Sequence, residues 1–110
     1  MPSQPGSSKP AHFVVLTGVF GREGKWVTAQ CQELGTTAFG RTLEQADSRL
    51  REAVLLHLQG LEDVGERARF FRENGIRTYT AYPAVVHQSV PPEVLSKAHV
   101  LRVGKEIALV

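Results

Sequence analysis

The chain has 110 residues, enough for one domain with a workable core without metals or disulfides. Thirteen Lys and Arg against eleven Asp and Glu leave a net charge of only +2, so charge alone does not mark a nucleic-acid binder. A single cysteine, Cys31, excludes an intramolecular disulfide and favours a reducing, cytoplasmic setting, and no apolar run approaches transmembrane length.

Residues 1–10 are rich in Pro, Ser and Gly and lack the apolar stretch of a signal peptide, so they read as a flexible leader. Residues 12–20 are β-prone, with Phe13, Val15 and Val19 on one side and Val14, Leu16 and Phe20 on the other. Such a strand is central or covered on both faces. Gly21 to Lys25 supply two glycines and three charges for a hairpin connection. Residues 26–33 alternate again, Val27, Ala29 and Cys31 against Trp26, Thr28, Gln30 and Gln32. Residues 36–40 form a third short strand.

The stretch from Gly40 to Gly60 then starts a helix. Thr42 is placed as N-cap and Gln45 three residues on completes a capping box. Leu43, Ala46, Leu50, Ala53, Val54 and Leu58 give an apolar stripe that covers a sheet face, and Gly60 offers a left-handed stop. A second helix is expected over 62–74, with Leu61, Val64, Ala68 and Phe71 on its apolar side, Glu62 and Asp63 at its positive end and a Schellman stop at Asn74-Gly75-Ile76. Residues 76–82 read as a fourth strand ended by Pro83, residues 84–89 as an extended segment, and Pro91-Pro92 as the opening of a short helix reaching Lys97. Residues 99–103 and 107–110 read as short strands, the last an apolar tail that needs a surface to pair with.

The expected fold is α+β: an antiparallel sheet of three to four strands covered by one long helix, in the order β-β-β-α-α-β, with extra short C-terminal strands. Residues 11–82 make the main domain and 83–110 a C-terminal extension of strands or an oligomerisation arm.

From about Phe13 to Leu58 the chain resembles the HicB antitoxin family. The resemblance rests on the hairpin stretch from Gly24 to Ala29, on Glu33-Leu34-Gly35, and on Gly40-Arg41-Thr42-Leu43-Glu44-Gln45-Ala46 following three strands. The chain departs from the family pattern in having no proline between Leu34 and Gly35, in placing its cysteine before that turn, and in carrying Arg41 where an acidic residue is usual. The resemblance implies a partial RNase H-like fold that serves protein recognition without nuclease chemistry, and a small HicA-like ribonuclease toxin as partner. Many members of the family add a DNA-binding segment at the C-terminus. Here residues 86–97 mimic the opening of a ribbon-helix-helix, but no second helix follows.

No catalytic, cofactor or metal constellation stands out. The first strand has no Asp or Glu to begin a two-metal site, and His12, His57, His87 and His99 show no ligand spacing. His57 reads as a partly buried structural histidine and Cys31 as a buried, inert thiol. Trp26 is expected to pack against the helix, the alternative being an anchor for a partner. Phe70 stands beside core candidate Phe71, and both cannot point inward from one helix, so one is exposed or covers the edge of the sheet, which makes Phe70 an interface candidate. Partner-binding candidates are therefore Trp26, Arg67, Phe70, Arg72, Ile107 and Leu109. The chain reads as a non-enzymatic interaction module forming a homodimer or higher oligomer. The alternative is a nucleic-acid-binding transcriptional regulator using the arginines Arg67, Arg69 and Arg72 or the segment 86–97. Glu66 and Glu73 beside those arginines favour a solvated face.

Overall fold

A computed structural model describes residues 12–83 and 94–103, together with the backbone of 108–109. The leader at 1–10, the extended segment at 84–89, the Pro91-Pro92 opening and Ile107 lie outside the described residues. The protein is α+β: strands β1 (His12–Glu23), β2 (Trp26–Cys31) and β3 (Thr37–Gly40), helices α1 (Leu43–Asp63) and α2 (Arg67–Glu73), then strands β4 (Thr78–Tyr79), β5 (Ser96–Val103) and β6 (Ala108–Leu109). The sheet runs β3-β2-β1-β5-β6 with every pairing antiparallel, and β4 pairs with the start of β1.

β1 is the central strand, as its two apolar sets imply. Val14, Leu16 and Phe20 are buried, and a Cβ built on Gly18 would lie 3.3 Å from Leu50 of α1, so this set faces the helix. Val27, Ala29 and Cys31 of β2, with Leu101 and Val103 of β5, extend the same face, and Ala46, Leu50, Val54 and Leu58 close over it. The second set, Phe13, Val15 and Val19, is only half-buried. Tyr82 meets Phe13 edge-on at 5.8 Å between centroids on that side.

The β1–β2 connection is a two-residue loop, Gly24-Lys25, between the paired residues Glu23 and Trp26. Gly24 sits first in the loop at φ +62°, the position where a type II′ turn needs a left-handed residue. Thr42 caps α1 as its sequence implies: its hydroxyl accepts from the Gln45 N–H at 3.0 Å, and the Gln45 side chain accepts from the Arg41 N–H at 2.7 Å.

The helix does not stop at Gly60. Leu58 is fully buried and Leu61 half-buried, so packing carries α1 past a glycine that costs about 1 kcal/mol in a helix interior. The stop comes at Gly65, φ +73°, with Gly65 N–H donating to the Glu62 carbonyl and Glu66 N–H to the Leu61 carbonyl, a Schellman motif. Glu62 and Asp63 therefore close α1 and do not open α2, which begins at Arg67, and Val64 is 70% exposed instead of lining a helix face. The second stop falls where the sequence places it: Ile76 N–H donates to the Phe71 carbonyl at 2.8 Å across Gly75, and both side chains are buried.

Two C-terminal assignments change. The fourth strand shrinks to Thr78–Tyr79, and Ser96 and Lys97 are strand, not the end of a helix. Pairing with β1 outweighs the local helix-start signal, since β5 lies along β1 for eight residues and alternates Lys97, His99, Leu101 and Val103 toward the helix. The C-terminal strands are thus integral to the sheet. Among the described residues no helix is long and apolar enough to cross a membrane.

Candidate functional site

Three local arrangements stand out above the fold. The first is the open half of the sheet face opposite α1. Trp26 begins β2 and alternates away from buried Val27, so it points off the helix side and remains 40% exposed. The expectation that Trp26 packs against α1 is thus corrected by strand parity: a residue one step from Val27 takes the other face. Phe39, 48% exposed, pairs with Thr28 across β2–β3 and is a diagonal neighbour of Trp26 on that face. Arg41 lies over the Trp26 ring, its guanidinium carbon 5.2 Å from the centroid. Arg49 of α1 donates to the Phe39 carbonyl at 3.0 Å, which satisfies an acceptor of the edge strand β3.

The second is a polar cluster where α1 meets β5. Asp47 is buried within the apolar stripe of the helix. His99 Nε2 lies 2.8 Å from its Oδ1 and Lys97 Nζ 3.2 Å from its Oδ2. Arg51 Nε, itself buried, stands 3.6 Å from the same Oδ2, an ion pair too long for a hydrogen bond. A buried carboxylate is tolerated when it is paired and hydrogen-bonded, and this one is held by residues from both elements. Beside the cluster lies a cavity of about 240 Å³ lined by Phe20, Leu43, Glu44, Leu95, Ser96 and the Asp47 group. An open trough of about 580 Å³ adjoins it through Phe20, Leu43 and Leu95 and reaches Arg22 and Arg41.

The third is Glu33, which accepts from the Thr17 N–H at 2.7 Å and from the Thr17 hydroxyl at 2.9 Å. It completes the edge of β1 just before the β2 ladder begins at Gly18. Cys31 nearby is buried, and burial pushes its thiol up to about 11, which suppresses the nucleophilic thiolate. His57 is half-buried between the Thr36 hydroxyl, 3.0 Å from Nδ1, and the edge of Phe70.

The candidates on α2 are held by their neighbours. Arg67 Nε pairs with Glu62 at 2.6 Å and its guanidinium lies over Phe71, while Arg69 pairs with Glu66 and Glu73. Arg72 is exposed. Phe70 is half-buried against the core and stacks edge-on with His57 at 5.9 Å. Leu109 belongs to β6, its backbone paired opposite Leu101, and its side chain lies outside the described residues with Ile107. Trp26 thus lies on the sheet face away from the core, whereas Phe70 and Phe71 of α2 pack with the core.

The Asp47 cluster escaped the sequence reading, although two signals pointed to it. Asp47 falls four residues after Leu43 and three before Leu50, inside the apolar stripe. His99 shares strand parity with Leu101 and Val103. Among the described residues no group of three His, Cys, Asp or Glu side chains is placed to hold a metal ion. No protein-family model matches the chain, and neither a curated protein nor a solved structure shows significant similarity to it.

Proposed function

We propose that the chain is a non-catalytic protein-interaction module that receives its partner on the open half-face of the sheet around Trp26 and Phe39. The observation that carries this reading is the pair of half-exposed aromatic side chains on adjacent strands, on the face that α1 leaves uncovered. A handful of residues dominates the binding energy of a protein interface, and tryptophan is among the types enriched there. The HicB resemblance gives the reading its specific form: an antitoxin-like domain, in a cytoplasmic setting, neutralising a small HicA-like ribonuclease. The three strands leading into a capped helix support that form, and the same exposed aromatic face is where a second copy of the chain would pack in the homo-oligomer this reading expects.

The competing nucleic-acid reading has weaker support, because Arg67 and Arg69 are already paired with carboxylates of the same helices. The decisive experiment is a tagged pull-down from native lysate, with sedimentation velocity on the purified chain. The expected result is a small basic protein recovered by the wild type and lost with Trp26→Ala/Phe39→Ala. Recovery of the chain alone would overturn the antitoxin form.

A further inference from the structure

We infer that the trough floored by Phe20 and walled by Leu43 and Leu95 is a docking groove for an acidic peptide segment carrying one large apolar side chain. The inference rests on the protein-interaction reading and adds to the Trp26–Phe39 face a second contact on the helix side of the sheet, naming the chemistry of the segment that would fill it. Two adjoining cavities, of about 240 and 580 Å³, share Phe20, Leu43 and Leu95 and so form one continuous depression. Leu43 and Leu95 are 38% and 56% exposed at its rim, an apolar surface open to a ligand at the opening of α1.

Charge selects the occupant. Arg22 and Arg41 line the larger end, and among the described residues neither guanidinium is paired with a carboxylate. At the smaller end Lys97 and Arg51 are already engaged by Asp47, leaving Glu44 exposed beside them. The uncompensated charge next to the apolar floor is therefore positive at the Arg22–Arg41 end, which suits carboxylates flanking an aliphatic or aromatic anchor. The aliphatic walls favour a peptide over a nucleic acid, whose bases need open ring faces to stack on. Arg41 already lies over one face of Trp26. The trough opens to solvent, so a peptide segment can enter it from the surface.

Arg41 links the groove to the only tryptophan of the chain, which makes Trp26 an intrinsic reporter of occupancy. The full chain is titrated with the blocked peptide Glu-Asp-Leu-Asp-Glu, with a version carrying serine for its leucine, with Lys-Lys-Leu-Lys-Lys and with a single-stranded oligonucleotide. The first peptide is expected to change Trp26 emission saturably and to bind about tenfold tighter than each of the other three probes. Arg22→Glu and Leu95→Ser, both at exposed positions, are expected to weaken it by about tenfold each while leaving the circular dichroism unchanged. Equal binding of the basic peptide, tighter binding of the oligonucleotide, or unchanged affinity in both variants would overturn the groove. The same two variants go into the pull-down. A partner captured equally by wild type, Arg22→Glu and Leu95→Ser removes the groove and leaves the interaction module standing, whereas a wild type that captures nothing removes the module.

Discussion

A methyl group added at Gly40 has nowhere to go. Its Cβ would lie 2.5 Å from the Ala46 nitrogen and 2.9 Å from the Ala46 Cα, and both are backbone atoms of the first helical turn. The glycine is required by the close approach of β3 to α1, since its φ is not in the left-handed region. Gly40→Ala is expected to destabilise the fold by about 1–3 kcal/mol, read as a lower urea midpoint at unchanged m-value. Cys31 gives a second test at this scale. Its folded pKa is raised, mainly by burial, from 9.0 to about 11, so the native state holds the proton more tightly than the unfolded chain does. Its contribution to stability is therefore fully present below pH 9 and is lost as pH rises through about 11. Wild type should lose stability over that interval more steeply than Cys31→Ala, as chemical denaturation at a series of pH values would record. At pH 8 alkylation of the native thiol should be slow and should accelerate on denaturation.

Between elements, the Asp47 cluster is the polar bond joining α1 to β5. Asp47→Ala leaves His99, only 12% exposed in its side chain, without its carboxylate partner, and is expected to cost about 2 kcal/mol in chemical denaturation. Lys97 contributes little to that figure because its side chain is 61% exposed and screened by solvent. A double-mutant cycle with His99→Ala isolates the coupling between the two elements. The elements themselves were largely legible in the sequence where the signal is local. The Thr42 cap with Gln45 and the stop at Gly75 each depend on a few consecutive residues and stand where they put it, whereas the connection expected over Gly21 to Lys25 narrows to Gly24-Lys25 because Gly21 to Glu23 pair with β2. The misreadings fall where distant packing outweighs local preference. Gly60 passes into the helix because Leu58 and Leu61 pack, and Ser96–Lys97 become strand because β1 pairs with them. The candidate site was partly legible: Trp26 was identified as a candidate, but its face follows from strand parity, and Asp47 was hidden by its place in an apolar stripe.

For the whole molecule the important fact is that β5 enters the sheet beside β1 from the other end of the chain, pairing Ser96 with Val19 and Val103 with His12. Val100, Leu101 and Val103 are buried, and Val103 pairs opposite His12 at the very start of β1. Residues 94–103 are therefore not an appendage to a finished domain. A chain ending at Pro83 is expected to lose cooperative unfolding and native circular dichroism, because it exposes the flank of its central strand. Sequestering that flank needs contacts of large sequence separation, which slows folding relative to a helical protein of the same size. The hydrogen bonding around β1 carries this further. One edge is occupied in turn by β4 at Phe13 and Val14, by the Glu33 carboxylate at Thr17 and by β2 from Gly18 onward, and the other edge by β5 from His12 to Val19. Both edges of this strand are thus engaged at Phe13, Val14 and from Thr17 to Val19. Its amide protons should consequently be the last to exchange with deuterium, at a rate that measures the opening of the entire protein, while those of the short edge strand β3 exchange through local openings of much lower free energy.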